Sequence, residues 1–228
     1  MRRFIRKAAG LLVCLTVLFG QGISQPENDD LSGRIGISAG MGVNYHNAQD
    51  IVNRVNSFSI ISQRAQDFKS GVEFFGIVSL PLSEDWVVKA EYVYMLASYN
   101  QTTQGGFGPA EFSYDVHMPT LIGQYMLYDA GTYNFKVGVG FGYHFGTYKE
   151  KIAQFQGEYT AKGLGSLLEL EGNTGLGTNL YAHLGTQARW DFIGDLKNEN
   201  GNSPTGSATA TTLHFFSIGA RLGVTYYF

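Results

Sequence analysis

Long stretches of the chain alternate between apolar and small or polar residues. From Ser32 to His46 one set is Ile35, Ile37, Ala39, Met41, Val43 and Tyr45; the intervening set is Arg34, Gly36, Ser38, Gly40, Gly42, Asn44 and His46. Successive strand side chains point to opposite faces, so period two predicts a strand with one apolar face and one small or polar face. Asn134–Lys149 repeats the pattern, with Phe135, Val137, Val139, Phe141, Tyr143 and Phe145 against Lys136, Gly138, Gly140, Gly142, His144 and Gly146. Thr212–Phe228 does so again, placing Phe216, Ile218, Ala220, Leu222, Val224, Tyr226 and Phe228 opposite Phe215, Ser217, Gly219, Arg221, Gly223, Thr225 and Tyr227. Strands in soluble sandwiches run to about five or six residues. These are long enough to cross a bilayer at a tilt, for which roughly 9–11 residues suffice.

Five further strands follow from weaker patterns. Lys69–Leu82 directs Val72, Phe74, Val78, Leu80 and Leu82 outward, and Trp86–Tyr99 directs Trp86, Val88, Ala90, Tyr92, Tyr94 and Leu96 outward. In Phe112–Tyr128, Pro119 cannot donate to a ladder; a bulge there is expected to switch the outward set from Phe112, Tyr114 and Val116 to Leu121, Tyr125 and Leu127. Gly157–Leu170 and Asn179–Phe192 form the third hairpin. The expected connections alternate in length: 47–68 long, 83–85 short, 100–111 medium, 129–132 short, 150–157 medium, 172–178 short and 193–211 long. Eight strands with this asymmetry predict an all-β, antiparallel, up-and-down transmembrane β-barrel, short turns on one side and longer loops on the other. A hairpin hidden in 47–68 would raise the number to ten.

The chain begins with an export signal. Residues 1–7 carry four cationic side chains, Ala8 to Phe19 is an uncharged apolar run too short to span a bilayer as a helix, and Gly22 and Ser24 suit cleavage before Gln25. Residues 1–24 are read as signal peptide, 25–31 as a short periplasmic segment and 32–228 as the barrel. The one cysteine, Cys14, lies within the signal, so the mature chain folds without disulfides. Composition narrows the class further. Charged residues are 15% of the 228, below the usual ~25%, and aromatics are 14%, with 30 glycines. A net charge of −3 lacks the basic excess of a nucleic-acid binder, and abundant aromatics argue against disorder. Mean hydropathy is −0.08, unlike a bundle of membrane helices.

The ending Leu222-Gly-Val224-Thr-Tyr226-Tyr-Phe228 resembles the C-terminal insertion signal of bacterial outer-membrane barrels. Val116-His-Met-Pro-Thr-Leu-Ile-Gly-Gln-Tyr125, followed by Lys136-Val-Gly-Val-Gly-Phe-Gly-Tyr143, is similar to a hairpin common in the small OmpA/OmpX-type outer-membrane β-barrel families. The resemblance covers about 32–228. It implies residence in the outer membrane, contact with outer-membrane lipid and assembly by the barrel-insertion machinery, and it carries over no catalytic residue; the short turns are expected on the periplasmic side, which places both mature termini there, and no metal or cofactor is expected.

Candidate chemistry concentrates in the lumen. Gly36, Gly40, Gly42, Gly138, Gly140, Gly142, Gly219 and Gly223 are assigned inward, leaving room for long side chains from other strands. The Gly138–Gly142 run is no dinucleotide loop, because its period lies within a strand rather than at a strand-to-helix turn. Glu73, Lys89, Glu91, Asp115, Lys136, Arg189 and Arg221 are expected to point inward, and buried charges need partners, so a salt-bridge network centred on Arg221 with Glu73 and Glu91 is predicted. His46, His117, His144 and His183 are assigned to the lumen without metal-ligand spacing. Trp86, Phe135, Tyr226 and Phe228 are expected to girdle the periplasmic interface; Tyr45, Tyr143, Phe145, Trp190 and Phe216 the outer one. In loop 47–68, Ile51, Val52, Val55 and Phe58 have helical spacing, suited to folding over the mouth or to an adhesive surface, whereas loop 193–211 reads as mobile. These two loops are the expected contact points for any extracellular ligand. The leading reading is a monomeric barrel with a structural or surface-interaction role and a polar-filled lumen. Its rivals are a narrow channel or solute binder, and a lipid-modifying enzyme using His214 with Ser217, or His46 with Ser59 and Asp50.

Overall fold

The computed structural model describes residues 33–61, 64–66, 68–103, 108–204 and 211–228; the expected signal peptide (1–24) and the 25–31 segment lie outside the described residues. Eight strands form a closed antiparallel barrel: β1 (Gly36–Asn47), β2 (Phe68–Pro81), β3 (Trp86–Thr102), β4 (Pro109–Asp129), β5 (Tyr133–Ile152), β6 (Phe155–Gly175), β7 (Leu180–Asp195) and β8 (Thr212–Tyr227). One α-helix, α1 (Gln49–Asn56), follows β1. Closure is by β1 against β8, from Gly36↔Tyr227 to Asn47↔Phe216, which leaves no free sheet edge along β1.

Tight turns at the end carrying both described chain ends have local causes. Ser83 Oγ accepts the Trp86 N–H at 3.2 Å, and Asp129 Oδ1 accepts the Gly131 N–H at 2.8 Å, while Gly131 takes a positive φ of 74°. The outward surface is apolar over a band. On β3, Trp86 to Leu96 is ten residue steps, which at about 3.3 Å each and about 40° tilt gives a height of roughly 25 Å. Trp86, Phe135, Tyr226 and Phe228 are exposed around the end with the chain termini; Tyr45, Tyr143, Phe145 and Trp190 are exposed around the other margin, with Phe216 beside Trp190. The alternate ending Leu222, Val224, Tyr226 and Phe228 is outward throughout, and Phe228 N–H donates to Ile35 O at 3.0 Å.

Several strand limits differ from those read in the sequence. β3 and β4 run on to Thr102 and from Pro109, so the 100–111 connection is shorter. The 150–157 connection is only two residues long, with Ala153 at φ 53°; Ala-Gln lacks the Asn-Gly or Asp-Gly signal of such a turn, which is why the pattern there suggested a longer loop. β6 continues through Gly175, into the span assigned to the 172–178 turn. In the 193–211 connection, Leu196 is fully buried and Lys197 bridges Thr160 in both directions, so this part is anchored.

The largest correction concerns β4. Its even-numbered residues from Ala110 to Gln124 all face inward, Phe112, Tyr114 and Val116 among them. Pro119 interrupts the ladder to β5 without a register change, since His117↔Phe145 and Thr120↔Gly142 share one register; the bulge lies instead between Met126 and Tyr128. Asp115 and His117 therefore face outward rather than into the lumen. The apolar pattern flips near Pro119 because the surroundings flip. Beyond the apolar band the outside meets water and the inside becomes a dry core, so Phe112 and Tyr114 are buried by the same preference that turns Leu121 outward.

Candidate functional site

The lumen is built in layers, beginning at the end with the tight turns. Lys89 Nζ donates to Glu169 Oε1 (2.8 Å) and Glu171 Oε2 (2.7 Å), and Gln124 Nε2 bridges the same carboxylates at 2.7 and 2.8 Å. Lys136 Nζ reaches Glu171 Oε1 at 3.4 Å, and Asn173 Nδ2 donates to that oxygen at 2.7 Å. One layer further, Arg221 Nε donates to Glu73 and its Nη1 to Glu91 Oε2 at 2.5 Å, while Arg189 Nη2 donates to Glu91 Oε1 at 2.7 Å. Asn44 and Gln187 add amide donors to Glu73, the latter at 3.1 Å to each oxygen. His144 Nδ1 donates to Asp191 Oδ1 at 2.5 Å, and its Nε2 shares a hydrogen bond with Thr120 Oγ1 at 3.3 Å.

Glycine explains how these groups meet. In register, Gly42 has Glu73 on one side and Arg221 on the other. Neighbouring strands are about 4.8 Å apart, so the two long side chains span two strand spacings and join above a residue with no side chain. A Cβ at Gly42 would lie 2.8 Å from Glu73 Oε1 and 3.0 Å from Arg221 Cγ. The device recurs: Gly138 lies between Gln124 and Glu169, which bond over it, and Gly219 lies between Asn44 and Gln187, which are 3.5 Å apart. At Gly42, Gly138 and Gly219 the missing side chain is a gap across which two polar side chains pair.

The charges balance. Lys89, Lys136, Arg189 and Arg221 face Glu73, Glu91, Glu169 and Glu171, all nearly inaccessible to solvent. An unpaired ion in such a place would cost several kcal/mol, so the pairing of these four cations with these four glutamates, and of Asp191 with His144, is a condition for the barrel to exist. Of the sequence-derived lumen set, Glu73, Lys89, Glu91, Lys136, Arg189 and Arg221 are brought together. Asp115 is not: it lies on the outer wall, 3.6 Å from His117 Nε2, while His117 Nδ1 shares a 2.6 Å hydrogen bond with Tyr92 and its ring packs 4.8 Å from that of Tyr94. Glu169, Glu171, Gln124 and Gln187 belong to the network and were missed. Glu169 and Glu171 alternate with Leu168 and Leu170, a period-two signal at the end of β6 obscured by placing a turn too early.

Above the polar layers the lumen is apolar. Val93, Met95, Val116 and Met118 form a buried tier, and α1 lies across the mouth with Ile51, Val52 and Val55 at 0% exposure. Arg54 latches the helix: its Nη2 donates to Glu150 Oε1 and Oε2 at 3.1 and 3.2 Å, its Nε to Oε2 at 3.3 Å, and its guanidinium covers the Phe58 ring at 4.4 Å. Tyr148 and Tyr159 hydroxyls donate to Glu150 at 3.5 and 3.4 Å. Here the outward positions are charged, with Lys149 paired to Glu158 at 3.4 Å, so this tier stands clear of the apolar band. Burial, and then the Glu150 carboxylate, push both phenols up, Tyr148 well above the ordinary tyrosine value. Thr212 Oγ1 donates to Asp50, tying the helix start to β8.

The histidine sets considered for lipid chemistry are not assembled. His46 and Ser217 face the lumen, His214 faces outward, and Asp50 is bonded to Thr212. Among the described residues no serine hydroxyl is hydrogen-bonded to a histidine, and no group of three or more His, Cys, Asp or Glu residues could hold a metal.

No family model matches the chain, and no curated protein does. Solved structures do. Ail, the attachment invasion locus protein of Yersinia pestis, superposes with a TM-score of 0.51 at 11% identity, covering 86% of this chain and 99% of Ail. A major outer membrane protein of Thermus thermophilus gives a TM-score of 0.51 at 14% identity, over 85% of this chain and 99% of that one. The chain has the fold of the small outer-membrane β-barrels. At such identities the likeness extends to the barrel and not to any ligand.

Proposed function

We propose that the protein is an outer-membrane barrel with a sealed lumen, its chain ends in the periplasm, and that it serves a structural or surface-interaction role through the elements that rise above the membrane. The observation that carries this reading is the pairing of an outward apolar band with a lumen that is charge-balanced, hydrogen-bonded and capped. An exposed apolar surface of this size needs a lipid partner. The ion-paired interior leaves no line of free charges to conduct an ion, and the latched helix closes the outer mouth. Contact with other surfaces then falls to α1, the β5–β6 hairpin and the 193–211 connection, which contain polar and charged exposed residues.

Cell fractionation with site-specific tags tests the placement. A tag in the 193–211 connection should be reached by antibody on intact cells, whereas a tag within 25–31 should be reached only after the outer membrane is permeabilised. A loop tag hidden on intact cells, or recovery of the protein with the inner membrane, would contradict the reading.

A further inference from the structure

At the mouth carrying the chain ends there is a cavity of about 40 Å³, lined among others by Arg34, Asn134, Lys136, Tyr227, Glu84 and Asp129. At about 10–15 Å³ per water this is room for roughly three waters or one small oxyanion. Its inner wall carries a buried donor without an acceptor. Glu171 can only accept, so the group of Asn173 that reaches it is Nδ2; that same Nδ2 donates to Asn134 Oδ1 at 3.1 Å. Asn134 is thereby oriented with its own Nδ2 toward no protein partner, although the residue is 1% exposed. Lys136 Nζ donates to Tyr227 OH at 3.4 Å, which leaves the Tyr227 hydrogen to donate elsewhere, and reaches Glu171 only at 3.4 Å, since Lys89 and Asn173 hold that carboxylate more closely. A buried donor left unmade costs about 1–3 kcal/mol, so Asn134 Nδ2 implies an occupant.

We propose that this cavity binds a small oxyanion, a phosphate or carboxylate group, held by Lys136 Nζ, Asn134 Nδ2 and the Tyr227 hydroxyl. Three donors from β5 and β8 converge with a buried cation behind them, the arrangement an acceptor-rich anion requires. Glu84 and Asp129, exposed at the rim, oppose it, each lowering the affinity through its negative charge, although Asp129 Oδ1 also accepts the Gly131 N–H in its turn. The group could arrive as a free ion or on a phospholipid head; the chemistry recognised is the same.

The test is NMR of the chain from residue 25 onward, refolded in neutral maltoside micelles, following the Asn134 side-chain amide or, in Asn134→Asp, the neighbouring Lys136 backbone amide. Sodium phosphate or acetate should shift it saturably, and sodium chloride at matched ionic strength should not. Tyr227→Phe, which keeps every charge and so the fold, should weaken phosphate binding about tenfold, the loss of one hydrogen bond to a charged group. Asn134→Asp should abolish it, and Glu84→Gln should strengthen it about twofold to threefold. Micelles doped with phosphatidylglycerol separate the sources: a shift with the lipid but not with free phosphate assigns the occupant to a lipid head. Shifts no larger than those from chloride in every arm would overturn the proposal and leave the cavity to water. So would phosphate binding undiminished in both Tyr227→Phe and Asn134→Asp.

Discussion

Replacing Arg221 by methionine removes one cation from a lumen whose charges cancel, while keeping most of the side-chain volume. Glu91 retains Arg189 at 2.7 Å, but Glu73 is left with only the neutral amides of Asn44 and Gln187. Breaking a buried pair by deleting one partner costs about 3–5 kcal/mol. Those amides keep Glu73 hydrogen-bonded, which points to the lower end, about 3 kcal/mol. The double variant Glu73→Gln/Arg221→Met restores neutrality and should recover about half of that loss or more, because the penalty lies in the orphaned carboxylate. Urea unfolding in lipid vesicles, followed by fluorescence of Trp86 and Trp190, reports the transition from outward positions at both margins of the apolar band. A loss below about 1 kcal/mol in Arg221→Met, or a double variant no more stable than the single one, would refute the argument that Arg221 is held by charge balance.

Other consequences are equally specific. Gly42→Ala should cost about 1–3 kcal/mol, because its Cβ would press on Glu73 and Arg221, while Gly76→Ala, whose Cβ meets nothing within 4 Å, should be close to neutral in the same assay. Arg54→Ala should release α1: hydrogen exchange of the helix amides should accelerate at least tenfold while that of the barrel strands stays unchanged, and equal acceleration in both would reject the latch. The cap should also loosen in alkali. Tyr148 and Tyr159 have folded values raised above the ordinary tyrosine value near 10, so their contribution is complete below that pH and is lost as pH rises through the folded values. The protection factors of the α1 amides, which correct for base-catalysed intrinsic exchange, should therefore fall above about pH 10 before those of the barrel strands do, and Tyr159→Phe should blunt the fall.

Strand faces were legible wherever one strand met one pair of environments. β1 and β8 cross from lipid outside to polar lumen inside, so alternation alone oriented Gly42 and Arg221. It failed on β4, which continues beyond the apolar band into water. There the same alternation carries the opposite meaning, and Phe112 and Tyr114 were read outward and Asp115 inward because hydrophobicity names a medium and not a direction. The network was only partly legible for another reason. That Glu73 and Arg221 share a face is a matter of period, but that they meet over Gly42 is a matter of register across three strands, which no local pattern encodes. The helix spacing of Ile51, Val52 and Val55 was visible, whereas its latch was not, since Glu150 lies 96 residues from Arg54.

The central claim is that the lumen is sealed. Planar-bilayer recording of the refolded chain from residue 25 onward tests it most directly. The wild-type barrel should insert without steady conductance, as should Arg54→Ala, because the charge-paired layers below the cap remain in place. A stable, reproducible open level in the wild-type protein would contradict the account.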